Sequence, residues 1–132
     1  MTGARYAMGL GARRGVAADD IVALVTRVAN EHRVNVAELA LCAHESKTGE
    51  AGLHEAARLL GVELRFLSAE ALRERRGMTA THSPRVKAMF GVGSVAEAAA
   101  LVGAGPGSRL VAPRVVTPVA ACAIARRAEP PE

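Results

Sequence analysis

Apolar positions along this chain alternate between short continuous runs and helical stripes. RYAMGL at 5–10 predicts a first strand, broken by Gly9 and Gly11. From about Ala18 to Arg33, Ile21, Leu24, Val25 and Val28 recur with helical spacing, one stripe facing a core. Asp19 and Asp20 stand in the first turn, where carboxylates suit the helix dipole. Val36 to Ala43 carries the run LALCA, a buried strand. Leu53, Ala56, Ala57 and Leu60 repeat the helical stripe, and Gly61 supplies its stop. Val62 to Leu67 alternates as a strand, and Ser68 is placed to cap a helix running through Arg76. Residues 77–83 read as a mobile loop. Ser94 and Glu97 then read as a reciprocal capping box, opening a helix that buries Val95, Ala98, Ala99 and Val102. GAGPGS at 103–108 leads into two apolar runs, 109–116 and 119–125, joined by a turn at Thr117-Pro118. The order β-α-β-α-β-α-loop-α-β-β predicts one α/β domain over residues 1–128, with 129–132 as a loose tail. Its architecture is expected to be three-layer α/β/α, with a mixed, partly parallel sheet and a C-terminal antiparallel strand pair.

A length of 132 residues supports one domain with its own hydrophobic core. The formal charge of +4 rests on arginine, since Lys47 and Lys87 are the only lysines. A basic surface fits nucleic acid, anionic membrane or acidic small molecules. Nucleic acid is set aside because Tyr6, Phe66 and Phe90 are the only aromatic residues, too few for a stacking platform. No run approaches about 18 apolar residues and the opening stretch lacks a signal-peptide pattern, so a cytoplasmic protein without membrane contact is expected. Cys42 and Cys122 lie outside any CxxC pair and predict neither a disulfide nor a zinc framework. Cys42 and His44 share one strand face, but two ligands do not make a metal site, and no metal or cofactor is expected.

Two polar turns carry the candidate chemistry. The first is GLGARRG at 9–15, between a strand and a helix. Gly9, Gly11 and Gly15 allow a ligand close to the backbone, and a helix start offers unpaired N–H donors. Arg13 and Arg14 add planar donor forks suited to carboxylate or phosphate. The spacing is neither a dinucleotide fingerprint nor a P-loop, so the expected ligand is an anion with several acidic groups. The second turn, His44 to Glu50, lies at the carboxyl end of a neighbouring strand if the sheet is parallel there, where open α/β sheets place ligands. Lys47 supplies a cation, Glu50 a carboxylate, and Ser46 and Thr48 hydroxyls; a helix start capped by Ser46 or Thr48 explains the same residues structurally. Glu50 and His44 are the candidates for a general base, with no nucleophile elbow to accompany them.

The ordered set GLGARRG, ESKTGEAGLHEAARLLGVEL, GVGSVAEAAAL and VAACAIAR resembles the CobE / CbiG C-terminal domain family of cobalamin biosynthesis, from about Tyr6 to Arg127. Lys47-x-x-Glu50-x-Gly52-Leu53 and Ser94-Val95-Ala96-Glu97 both stand in family order. Family members often carry a cysteine where this chain has Ala12, so no covalent or metal role passes to that position. The resemblance implies a precorrin- or hydrogenobyrinic-acid-type tetrapyrrole as ligand, and other corrin-pathway enzymes as partners. The chain is similar in size to the stand-alone members, which implies a carrier or accessory role. The larger CbiG-type members, which hydrolyse a lactone on a cobalt-precorrin, imply the alternative, and a docking module without a ligand is a third reading. Under the carrier reading Arg13 and Arg14 grip ring carboxylates with backbone N–H groups of Gly11 to Gly15. Ser46, Lys47 and Glu50 line the opposite lip, and Ser94 and Glu97 add a helix terminus.

Overall fold

The computed structural model describes residues 4–129, so residues 1–3 of the expected domain and 130–132 of the expected tail lie outside them. Five strands form the sheet among these residues: β1 (Tyr6–Ala12), β2 (Leu39–His44), β3 (Glu63–Leu67), β4 (Arg109–Val116) and β5 (Ala120–Arg126). Their order is β3-β2-β1-β5-β4. β1, β2 and β3 run parallel, while β5 is antiparallel to both β1 and β4. The sheet is therefore mixed, and its C-terminal pair is antiparallel. The helices are α1 (Ala18–Glu31), α2 (Ala51–Leu60), α3 (Ala69–Arg73), α4 (Pro84–Phe90) and α5 (Val95–Ala104).

Strand alternation sorts side chains into two unlike faces. Met8, Leu10, Leu41, Cys122 and Ile124 point into a core shared with Ile21, Leu24, Val25 and Val28 of α1 and Leu53 and Ala56 of α2. The opposite face carries small residues. Ala7 and Cys42 pack with Ala98 and Ala99 of α5 and with Leu72 of α3, while Ala123 and Ala125 pack with Ala100 and Leu101. Helices thus cover both faces, in three layers.

The small residues let α5 lie close to the sheet. A Cβ on Gly9 would stand 1.8 Å from the Ala96 carbonyl oxygen. One on Gly103 of α5 would stand 2.4 Å from Cys42 Sγ, so the fit is tight from both sides. Such burial explains why α5 is apolar apart from Glu97: Ala96 through Leu101 are all buried, while Val95 and Val102 of the expected stripe are only half-buried.

Several local signals act as expected. Gly61 ends α2 with φ +71°, and Ser68 Oγ accepts the Ala71 N–H at 3.0 Å to open α3. α3 stops at Arg73, three residues short of the expected end. α4 was not anticipated, although its marks are in the sequence. Ser83 caps it, Pro84 begins it, and Gly91 ends it with φ +79°. Residues 77–83 lack regular structure but are anchored: the Ser83 N–H donates to Gly93 O at 2.9 Å, and Thr81 is bonded to Glu97. Glu129, expected in the loose tail, takes an ion pair from Arg126.

Candidate functional site

The cleft opens where α5 stops short of the carboxyl ends of β1 and β2. On that face of the sheet, Gly11 pairs with Ala121 across β1 and β5, and the Leu10–Ala43 pairing carries His44 to the next step of β2. These residues form its floor with Leu10 and Ala12. Val86 and Phe90 of α4 form one wall, and Ser94 to Ala96 at the start of α5 form another. Ser46 and Lys47 stand on one lip and Arg114 of β4 on another. The cavity is about 290 Å³.

Its character is an apolar slot edged by cations. No aspartate or glutamate lines it. Among the described residues neither Lys47 nor Arg114 forms an ion pair. Two hollows of about 370 and 380 Å³ lie elsewhere. The second, at the amino ends of β1 and β2, contains Arg5 already paired with Glu38 at 3.3 Å, leaving that cation less available to an anion. No group of three histidine, cysteine, aspartate or glutamate side chains converges among the described residues.

Five of the expected site residues meet in the cleft wall: Gly11, His44, Ser46, Lys47 and Ser94. The others take different places. Gly9 is a packing position under α5 and not part of a cradle. Gly9 to Ala12 belong to β1, so the turn proper begins at Arg13, whose N–H donates to Val119 O at 2.9 Å. Arg13 and Arg14 do not line the cleft; they follow Ala12 of its floor in the chain and are exposed, without ion pairs among the described residues. The Gly15 N–H is taken by Glu50 Oε1 at 2.7 Å, which removes it from the expected set of ligand donors. That bond ties the turn after β1 to the turn after β2, and it occupies the carboxylate expected on the opposite lip.

Neither Ser46 nor Thr48 caps α2. Its N-cap is Glu50, while Thr48 Oγ1 donates to Glu45 O at 2.6 Å and Ser46 bonds His44. The capping box at α5 is half formed. Ser94 Oγ accepts the Glu97 N–H at 3.2 Å, but the Glu97 carboxylate turns elsewhere. Fully buried, it accepts from Thr81 N at 2.7 Å, Thr81 Oγ1 at 3.0 Å and Arg114 N at 2.8 Å. Glu97 therefore supports the cleft from behind.

Arg114, Phe90 and Val86 were not anticipated. Arg114 read as a residue of a regular strand, yet β4 shifts register between Ala112 and Val115. There Glu97 takes the Arg114 N–H and holds this irregular segment. Pro113 beside it suits an edge strand. Phe90 and Val86 were hidden with the unassigned α4.

Comparison with known proteins gives one consistent family. The model described as Cobalamin synthesis G C-terminus matches residues 6–125. A curated relative, Protein CobE from Sinorhizobium sp., is 33% identical over 124 residues, covering 93% of this chain and 80% of that protein. The crystal structure of CobE, a protein from the cobalamin (vitamin B12) biosynthetic pathway, superposes with a TM-score of 0.84 at 35% identity, over 92% of this chain and 89% of the other. Cobalamin biosynthesis protein chiG from Agrobacterium tumefaciens gives 0.75 at 34% identity, covering 94% and 99%. A cobalamin biosynthesis protein G homolog from Sulfolobus solfataricus shares the fold, with a TM-score of 0.73 at 16% identity, over 96% of this chain and 38% of that one.

Proposed function

The chain belongs to the Cobalamin synthesis G C-terminus family and is a protein of cobalamin biosynthesis, and on that premise we propose that it binds a precorrin-type tetrapyrrole as a carrier. The observation that carries the reading is the apolar slot edged by Lys47 and Arg114, cations unpaired among the described residues. A precorrin is an apolar macrocycle fringed with acetates and propionates. Leu10, Val86, Phe90 and Val95 suit its ring, and the cations suit its fringe. Arg13 and Arg14, which follow Ala12 of the cleft floor, reach carboxylates further round the ring.

Size decides between engulfing and edge-on binding. A tetrapyrrole is larger than a cavity of about 290 Å³, so one edge enters and the rest stays outside. A ring held by one edge stays accessible to a following enzyme of the corrin pathway, which suits carriage. Hydrolysis of a lactone calls for a general base; no carboxylate lines the cleft, since Glu50 holds Gly15 and Glu97 holds Thr81 and Arg114, and the histidine that does line it, His44, has Nδ1 taken by the Ser46 N–H.

Titration with hydrogenobyrinic acid, followed by its visible spectrum, tests the reading. Saturable binding is expected, and a dissociation constant weaker than about 1 mM would overturn it. Lys47→Ala, Arg114→Ala and the Arg13→Ala/Arg14→Ala pair should each weaken binding about tenfold or more while leaving thermal stability nearly unchanged. Release of acetaldehyde from a lactone-bearing cobalt-precorrin would favour the hydrolase instead.

A further inference from the structure

We infer that His44 is a fixed hydrogen-bond donor of the cleft, its neutral imidazole holding the proton on Nε2 for an acceptor oxygen of the ligand. The inference deepens the tetrapyrrole reading and rests on it for the identity of that oxygen, a peripheral carboxylate.

The tautomer follows from the turn. β2 ends at His44, and the chain enters a single 3-10 turn, Glu45–Lys47, that carries Ser46 back over the imidazole. The Ser46 N–H donates to His44 Nδ1 at 3.1 Å, and Ser46 Oγ lies 2.8 Å from the same nitrogen. A backbone amide can only donate, so Nδ1 must present its lone pair. The hydrogen of the neutral ring is then on Nε2. The ring is also steadied by Phe90, edge to face with centroids 5.0 Å apart at 71°.

Nε2 is buried and has no hydrogen-bond partner among the described residues. A buried donor left unmatched is costly and calls for an explanation. His44 lines the cleft, and no carboxylate there competes for its proton. A ligand oxygen is the partner this geometry lacks. The same arrangement argues against His44 as a general base, because Nδ1 is occupied and Nε2 already carries its hydrogen. His44 recognises, and Lys47 and Arg114 attract.

Two measurements on the full chain test this separately from the carrier reading. The first needs no ligand: ¹⁵N correlation spectra of the histidine rings near neutral pH should show His44 with Nδ1 bare and Nε2 protonated. The opposite tautomer would overturn the inference. The second compares His44→Asn with His44→Gln in titrations with hydrogenobyrinic acid. Asparagine can still accept the Ser46 N–H but does not extend to the Nε2 position, so binding should weaken about tenfold. Glutamine reaches that position with an N–H and should stay within about threefold of the unmodified chain. Equal binding by His44→Asn and the unmodified chain would overturn the inference while leaving the carrier reading intact. If the unmodified chain does not bind, the carrier reading fails, and the ring tautomer still decides the donor assignment. Should His44→Asn fail to fold, the tautomer and the glutamine variant decide.

Discussion

Gly9 and Gly11 lie two residues apart on one face of β1 and do different things. The space over Gly9 is filled by the backbone of α5, including Ala96 O and, 2.6 Å from a notional Cβ, Ala100 N. Backbone cannot swing aside as a long side chain can. Gly9→Ala should therefore lower unfolding stability by about 3 kcal/mol or more, at or above the usual cost of overpacking. Over Gly11 there is nothing within 4 Å, because α5 has ended and the cleft has begun. Gly11→Ala should fold within about 0.5 kcal/mol of the unmodified chain, since alanine restricts the unfolded chain without native strain. Its methyl group would enter the slot, so hydrogenobyrinic acid should bind more weakly. Urea denaturation and the spectral titration check the pair; equal stability for both variants would show that α5 moves freely off the sheet. Reading GLGARRG as one cradle missed this division, since nothing local to a glycine tells whether a helix or a ligand approaches it. The alternation of small with large residues in β1 and β5 was available as a clue.

Among the elements, α5 does most to shape the site, and it acts through Glu97. Both oxygens of that carboxylate are engaged: Oε1 by Thr81 N, and Oε2 by Thr81 Oγ1 and Arg114 N. Residues 77–83 and the irregular part of β4 are thereby fastened to the first turn of α5. Glu97→Gln keeps the shape but must turn an NH2 group toward one of the two backbone donors. A loss of about 1–3 kcal/mol in unfolding stability is expected, with weaker tetrapyrrole binding as Arg114 loses its anchor. Urea denaturation alongside the titration would show both, and unchanged stability would mean that the clasp is not needed. The mixed, partly parallel sheet, the antiparallel β4–β5 pair and the stripes of α1 and α2 were legible because period and turn chemistry are local. The destination of the Glu97 carboxylate was not, because Ser94 and Glu97 have a sufficient local explanation, while its other partners lie 16 and 17 residues away. Arg114 was illegible for the same reason: a register shift is made by its tertiary partner. α4 differs, since Ser83, Pro84 and Gly91 were readable marks of a helix.

At the scale of the molecule, the two cysteines report on both layers of the sandwich. Cys42 faces α5, Cys122 belongs to the core with α1 and α2, and both are free thiols. Burial pushes Cys42 up to about 11 and Cys122 up to about 12, from 9.0 for an ordinary thiol. The folded chain thus holds these protons in a range where the unfolded chain releases them. Since the native state binds more protons above about pH 9, stability falls as pH rises through that value. The two thiols should keep their full contribution at pH 7 and together lose about 3 kcal/mol by pH 10, near 1.4 kcal/mol for each unit of divergence. Urea denaturation at pH 7, 9 and 10 measures the loss. A Cys42→Ala/Cys122→Ala variant should start lower at pH 7, through two small cavities, and lack this part of the alkaline decline. A steep decline persisting in the variant would place the sensitivity in other groups. A decline halved by either single substitution would show that unfolding of the whole molecule exposes both faces of the sheet together, the cooperative behaviour expected when one sheet is shared by two helical layers.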